Sequence, residues 1–260
     1  MSGGAPETAQ LALDLRLADS ASFSNFLPAR NRELVDCLRR AGEGPGRAPG
    51  DTGFVYFWGG AGSGKTHLLQ ALCRQVQAQG ESCAYVPLAQ APRMAPRVLE
   101  QLEHMAAVCI DDVHRIAGDG DWQSALFSLG ERCRQRHTLL VIAGNAPPGE
   151  LGLTLPDLAS RLQGWGLVYP LRALDDREKA LAMQRRARNR GLELSQAVID
   201  YVLKRYSRDM RALFGLLDRL DDASLTEQRR ITIPFLRRLE EQARRRGRGA
   251  APGPGAGRDR

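Results

Sequence analysis

The chain has 260 residues, 43% of them hydrophobic, enough for one large domain or for a core domain with a smaller companion. No apolar run approaches the length of a membrane span, and the opening Met1-Ser2-Gly3-Gly4-Ala5-Pro6-Glu7 lacks the charged-then-apolar order of a signal peptide, so a cytoplasmic protein with no membrane partner is expected. A net charge of +7 and an isoelectric point near 9.5 allow contact with nucleic acid without requiring it, and much of the excess sits at Arg244, Arg245, Arg246, Arg248, Arg258 and Arg260.

In chain order, residues before Ala9 read as disordered, and Gln10-Leu11-Ala12-Leu13-Asp14-Leu15 is a short piece of alternating apolar character. Residues 31–40 read as a helix with Leu34, Val35 and Leu38 on one face. Residues 42–50 are too rich in glycine and proline to pack and read as a flexible surface loop. Strands are expected at 54–58, 83–88, 108–111, 139–143 and 167–171, with helices between them, for example at 121–136. That alternation predicts an α/β fold in which a parallel sheet is covered on both faces. From 175 onward the pattern is wholly helical, at 175–190, 195–205, 208–222 and 233–245, which predicts a small all-α domain. Residues 247–260, rich in Gly, Pro and Arg, read as an unstructured tail. Cys37, Cys73, Cys83, Cys109 and Cys133 show no C-x-x-C spacing and are expected to be reduced, buried thiols.

The densest signal is Gly59-Gly60-Ala61-Gly62-Ser63-Gly64-Lys65-Thr66, which fits G-x-x-x-x-G-K-[ST] between an expected strand and an expected helix. The glycines let successive backbone N–H groups curl around a polyphosphate, and the helix N-terminus adds its partial positive charge. Lys65 can reach the β- and γ-phosphates, and the Thr66 hydroxyl can hold Mg²⁺. The chain has only three lysines, Lys65, Lys179 and Lys204, so a lysine in this loop reads as chemically required. A phosphate loop needs a carboxylate at the tip of another buried strand, and Val108-Cys109-Ile110-Asp111-Asp112 supplies it. Asp111 is the expected Mg²⁺ holder, and Asp112 is placed to polarise an attacking water. Asn145, after the strand at 139–143, either orients water near the γ-phosphate or begins the turn that Pro147-Pro148 continues. Arg161 and Arg211 are candidates to neutralise charge on a γ-phosphate, although each taken alone reads more readily as a solvated surface arginine.

Together these segments resemble the AAA+ ATPases, in the bacterial initiator branch, over roughly residues 10–240. Phe23-Ser24-Asn25-Phe26 followed by Asn31-Arg32-Glu33-Leu34 is similar to the segment that flanks the adenine in that branch. Ile110-Asp111-Asp112 resembles its two-aspartate Walker B strand. Leu155-Pro156-Asp157-Leu158-Ala159-Ser160-Arg161-Leu162 with Trp165-Gly166 resembles the arginine-finger box, and Asp209-Met210-Arg211-Ala212-Leu213 with Leu217 the sensor II helix. Gln10-Leu11-Ala12-Leu13-Asp14-Leu15 looks like the peptide with which such proteins bind the sliding clamp of DNA polymerase III, with Gln10 in a polar pocket and Leu11, Leu13 and Leu15 as apolar anchors. Proline is usual where Asp14 stands, and the same segment also reads as an edge strand of the domain.

The resemblance implies an AAA+ P-loop core at 23–172, an α-helical lid at 173–246, a flexible N-terminus at 1–22 with the clamp peptide at 10–15, and a tail at 247–260. It implies ADP or ATP with Mg²⁺, bound by Gly59, Gly60, Ala61, Gly62, Ser63, Gly64, Lys65, Thr66 and His67, with Phe26 and Arg211 beside the nucleotide and Thr66 and Asp111 at the metal. Asp112, Asn145 and an Arg161 finger offered in trans would carry catalysis. The implied partners are the replication initiator DnaA, the sliding clamp, DNA through the clamp, and further copies of the chain. The initiator's C-terminal DNA-reading domain is not expected, because only the arginine-rich tail follows the lid. The function so implied is clamp-assisted stimulation of hydrolysis of the initiator's ATP, which prevents re-initiation. A helicase loader, a clamp-loader ATPase and a DNA-bridging module using the tail are the alternatives. Clamp-loader subunits commonly carry a zinc-binding cysteine cluster, which the spacing here does not show.

Overall fold

A computed structural model describes residues 21–44, 53–206, 209–227 and 231–248. The expected clamp peptide at 10–15, most of the glycine- and proline-rich loop and the tail from 249 lie outside them. By internal contact the chain divides between Ala173 and Leu174 into two compact units.

Five parallel strands, β1 (Phe54–Trp58), β2 (Cys83–Pro87), β3 (Ala107–Asp111), β4 (Leu139–Gly144) and β5 (Leu167–Pro170), form one sheet in the order β2-β3-β4-β1-β5. The three inner strands are apolar runs of the kind a sheet buried on both faces demands. Parallel pairing also brings every strand's C-terminal end to one edge, where Trp58 pairs with Gly144 and Pro87 with Asp111.

Successive residues of a strand point to opposite faces. On one face Val55, Phe57, Cys109, Val141 and Ala143 pack under α1 (Arg32–Ala41) and α2 (Lys65–Ala78). On the other, Phe54, Tyr56, Val108, Ile110, Leu140 and Ile142 pack under α3 (Gly120–Arg136) and α4 (Pro156–Gly164). Leu34, Leu38, Leu68 and Leu126 are fully buried in these layers, each burial contributing about 2 kcal/mol.

The expectation of a helix between every pair of strands fails at one crossover. Between β2 and β3 the chain makes three 3-10 turns, Leu88–Arg93, Pro96–Leu99 and Leu102–His104. Pro92 lies inside the first and Pro96 opens the second, and a ring without an N–H cannot extend an α-helical ladder.

The second unit is helical: α5 (Asp176–Asn189), α6 (Gln196–Arg205), α7 (Met210–Glu227) and α8 (Ile233–Arg248). A capping box starts α5, with Asp175 and Glu178 satisfying each other's backbone N–H groups, and Ser195 caps α6. Met183, Ile199, Val202, Leu213, Leu217 and Leu236 fill the interior. At its surface Asp218 bridges Arg186 at 3.2 Å and Arg190 at 2.7 Å. Helix α8 runs on to Arg248, so the helix takes in Gly247 and Arg248, which the sequence assigned to the tail. Among the described residues no helix is long and apolar enough to cross a membrane.

Candidate functional site

β1 delivers the chain into the glycine loop at the sheet's C-terminal edge. The Gly59 N–H donates to the Gly144 carbonyl at 3.2 Å, which fixes where the strand ends. A Cβ on Gly59 would meet the Leu171 carbonyl at 2.4 Å, so only glycine fits there. Gly62 and Gly64 take φ of 72° and 103°, a backbone region that L side chains avoid. Gly64 is also the N-cap of α2 and offers no side chain to its first N–H groups. Those donors stay turned into the loop, where an anion can use them. Gly60, Ala61 and Gly62 are exposed, whereas Ser63 and Lys65 are buried.

Two features of the loop test whether it suits a phosphate. The Lys65 ammonium donates to the Gly59 carbonyl at 2.7 Å and the Gly60 carbonyl at 3.1 Å, so it is folded onto the loop it would serve. Burial holds its pKa below the ordinary lysine value, against the pull of Asp112 and Asp111. The Ser63 hydroxyl oxygen is buried and has no hydrogen-bond partner among the described residues. A buried orphan hydroxyl, a desolvated cation and a helix N-terminus without a side-chain cap in one loop form a donor set that fits a polyphosphate.

The expected metal-holding pair, Thr66 and Asp111, comes from two different elements. Asp111, at the tip of β3, is 1% exposed. Its Oδ2 accepts the Thr66 hydroxyl at 2.7 Å and the Tyr85 hydroxyl at 2.8 Å, and its Oδ1 accepts the Asp112 backbone N–H at 2.9 Å. Burial raises the Asp111 pKa, and the bond from Thr66 works against that. Hard oxygen donors on α2 and β3 beside a phosphate loop suit Mg²⁺, which Thr66 and Asp111 would hold. Asp112 is half-buried and takes φ 56°, ψ 44°, so the chain turns sharply as it leaves the strand.

The other expected nucleotide contacts lie around this loop. The Phe26 ring sits 5.6 Å from the His67 ring, and its Cε2 is 2.7 Å from where a Gly64 Cβ would stand. His67 Nε2 lies 2.9 Å from the Ser22 carbonyl oxygen, which ties the N-terminal segment to α2. Asn145 is exposed, immediately beyond β4 and next to the start of the loop. Arg211 is on α7 in the second unit, and its side chain is outside the described part of the chain.

Arg161 is on α4, on the opposite face of the sheet from α2. Pro156 sits in the first turn of that helix, and Leu158 and Leu162 bury its inner face. The Arg161 side chain is 50% exposed, with its Nε 3.5 Å from Glu131 Oε1 on α3. The same carboxylate oxygen accepts the Trp165 indole N–H at 3.0 Å. Trp165 in turn fits against Gly130, where a Cβ would come within 2.0 Å of the ring. One fully buried polar residue sets the approach to α4: the Gln123 amide donates to the Ile116 and Ala117 carbonyls at 2.9 and 2.6 Å and accepts the Leu155 N–H at 2.8 Å.

The structure thus gathers Gly59 to Thr66, Asp111, Asp112, Asn145, His67 and Phe26 at one edge of the core, and sets Arg161 apart from them on another helix. Tyr85, Gln123 and Glu131 were missed by sequence reasoning. Nothing in their local spacing marks them, since each acts through residues 26 to 34 positions away that only the fold brings near.

A family model described as the bacterial DnaA ATPase domain matches residues 17–170, and one described as the Hda lid domain matches residues 176–247. Among solved structures, domain III of the Thermotoga maritima replication initiation protein DnaA is 22% identical, with 84% of this chain and 94% of that chain covered and a TM-score of 0.69. AMPPCP-bound DnaA from Aquifex aeolicus is 22% identical, covering 88% of this chain and 71% of that one with a TM-score of 0.66. The Thermotoga maritima RuvB Holliday junction branch migration motor is 19% identical, covering 86% of this chain and 72% of that one with a TM-score of 0.62. At these identities the structural likeness speaks for the fold alone, and it agrees with the AAA+ core expected from the motifs.

Proposed function

The chain belongs to the family of the bacterial DnaA ATPase domain, as a DnaA-related AAA+ protein of the Hda type, and on that premise we propose that it stimulates hydrolysis of the ATP bound to the initiator DnaA. The observation that carries this reading is Arg161. Its helix is anchored in the core, yet its guanidinium is half-exposed and restrained only by a surface carboxylate among its described partners. A charge held in that way can be handed to a neighbour's γ-phosphate, where an arginine supplied in trans gives about 10³–10⁵-fold in rate.

In this reading the chain's own loop binds ADP or ATP through residues 59–66, as the donor set described above supports. Thr66 and Asp111 would hold Mg²⁺, which supplies charge neutralisation between the phosphates. Asp112 and Asn145 would orient water beside a γ-phosphate. Arg211 enters as the sensor position of the lid helix. The peptide at 10–15 would tether the cytoplasmic protein to clamp loaded on DNA, raising its effective concentration near DnaA toward the millimolar range for a short flexible linker. Copies of the chain could occupy the same kind of interface with one another.

Single-turnover hydrolysis of DnaA-bound ATP, with and without DNA-loaded clamp, tests this. Stimulation should require both the chain and the clamp. Deleting residues 1–15 should remove clamp binding and most of the stimulation while leaving nucleotide binding unchanged. Stimulation of equal size without clamp, or after the deletion, would overturn the tethering reading.

A further inference from the structure

Three cysteines that lie far apart in sequence meet in space. Cys73 comes from the middle of α2, Cys83 opens β2 and Cys109 is in the middle of β3. Their sulfur atoms all lie within 4.8 Å of one another. Cys73 and Cys109 are 1% and 0% exposed, while Cys83 is half-buried. All five cysteines were expected to be buried; Cys83 is the exception, because the first residue of an edge strand is covered on one side only.

We propose that Cys73, Cys83 and Cys109 form a binding site for a thiophilic d10 cation, Zn(II) or Cu(I), in the layer directly behind the phosphate loop. Metal–sulfur bonds of about 2.3 Å place three thiolates about 4 Å apart around one ion, so the observed cluster needs to contract by less than about 1 Å. Soft sulfur donors select Zn(II) and Cu(I) over the hard Mg²⁺ suited to Thr66 and Asp111, so the two sites do not compete for one ion. As the cation binds, each of the three thiols releases its proton to solvent and its sulfur takes a bond to the metal, with no change of oxidation state. The half-exposed Cys83 gives the ion a route in and leaves room for water as a further ligand. Cys37 and Cys133, both buried, are not part of this group.

The three ligands sit on the elements that make the nucleotide site. Cys73 is about two turns along α2 from Thr66. Cys109 lies on the same strand as Asp111, and its register partner on β2 is Tyr85, whose hydroxyl donates to Asp111. An ion here would pin α2, β2 and β3 to one another and stabilise the core against heat, whatever the chain does for DnaA.

The test uses the full-length, reduced, metal-free chain and Cd(II) as a spectroscopic probe. The sulfur-to-cadmium charge-transfer absorption should saturate at one Cd(II) per chain and raise the thermal midpoint. Cys83→Ser, at a half-exposed position, should keep the metal-free midpoint and lower Cd(II) affinity at least about 100-fold, more than loss of an outer-shell partner costs. Cys73→Ala should show the same loss, which guards against one variant failing to fold. Displacement of bound Cd(II) by Zn(II) or by Cu(I) supports the site and identifies the native ion. Displacement by neither, saturation at several equivalents, or wild-type Cd(II) binding in Cys83→Ser would overturn the proposal.

Discussion

The two faces of one sheet carry different work. Toward α2, the side chains behind the strand tips converge on the chain's own loop: Lys65 donates to the Gly59 and Gly60 carbonyls, and Thr66 and Tyr85 donate to Asp111, at 2.7 to 3.1 Å. Toward α3 and α4, Gln123, Glu131 and Trp165 brace a helix whose charged end faces outward. The first face holds its cation desolvated beside two carboxylates; the second leaves its cation half in water. A residue's parity along a strand therefore decides whether it packs on the side of α2, which follows the glycine loop, or on the side of α4, which carries Arg161.

That contrast can be broken face by face. The largest effect is expected at Lys65→Ala, which removes a charged donor from the loop. It should weaken ADP and ATP binding by about 2–3 kcal/mol, about 30- to 150-fold, read by fluorescent-nucleotide titration. The nucleotide-free chain should lose no stability, because burying an ammonium is itself a cost. A large drop in its thermal midpoint would mean that Lys65 holds the fold.

Next comes Gly130→Ala on the other face. Its added Cβ would overlap Trp165, which is 7% exposed and stacked edge-on against Phe54 at 5.2 Å. Overpacking of this kind costs about 1–3 kcal/mol, visible in a urea midpoint. Nucleotide affinity should stay within about twofold. Equal damage to nucleotide binding would erase the distinction between the faces.

The smallest effect is expected at Glu131→Gln, about 0–1 kcal/mol for a partly exposed carboxylate. The Trp165 indole N–H, and then Arg134 and Arg161, hold the Glu131 carboxyl below its ordinary value of 4.5. A depressed folded-state pKa stabilises the fold fully above that value and less as pH falls through the folded one. The urea midpoints of wild type and Glu131→Gln should therefore differ near neutral pH and converge in acid. A gap that stays constant across that range would show that the charge is not what Glu131 contributes.

The core's architecture was legible because its chemistry constrains residue types locally. Gly59 to Thr66 announced a loop, and the apolar runs ending in Asp111 and Gly144 announced the strands that flank it. The expected strand at 54–58 coincides with β1, and the others differ by a residue at their ends, where ladder bonds give way to turns. The crossover through residues 88–104 was illegible because no periodicity marks a run of 3-10 turns, which Pro92 and Pro96 keep from becoming an α-helix. Gln123, Tyr85 and the three clustered thiols were illegible for a different reason. Each is an ordinary residue for its element, and its partners come from other strands and helices. The lid helices were read from a wholly helical pattern, whereas the sensor II position of Arg211 came only from resemblance.

The division between the faces is tested most directly by two readings on one preparation of Arg161→Ala: the chain's own nucleotide affinity, and the single-turnover rate of DnaA-bound ATP hydrolysis with DNA-loaded clamp. The expected result is a rate that falls to the unstimulated value with the affinity unchanged. A preserved rate, or a rate that falls only in step with the chain's own nucleotide binding, would contradict the assignment of Arg161 to a partner's pocket.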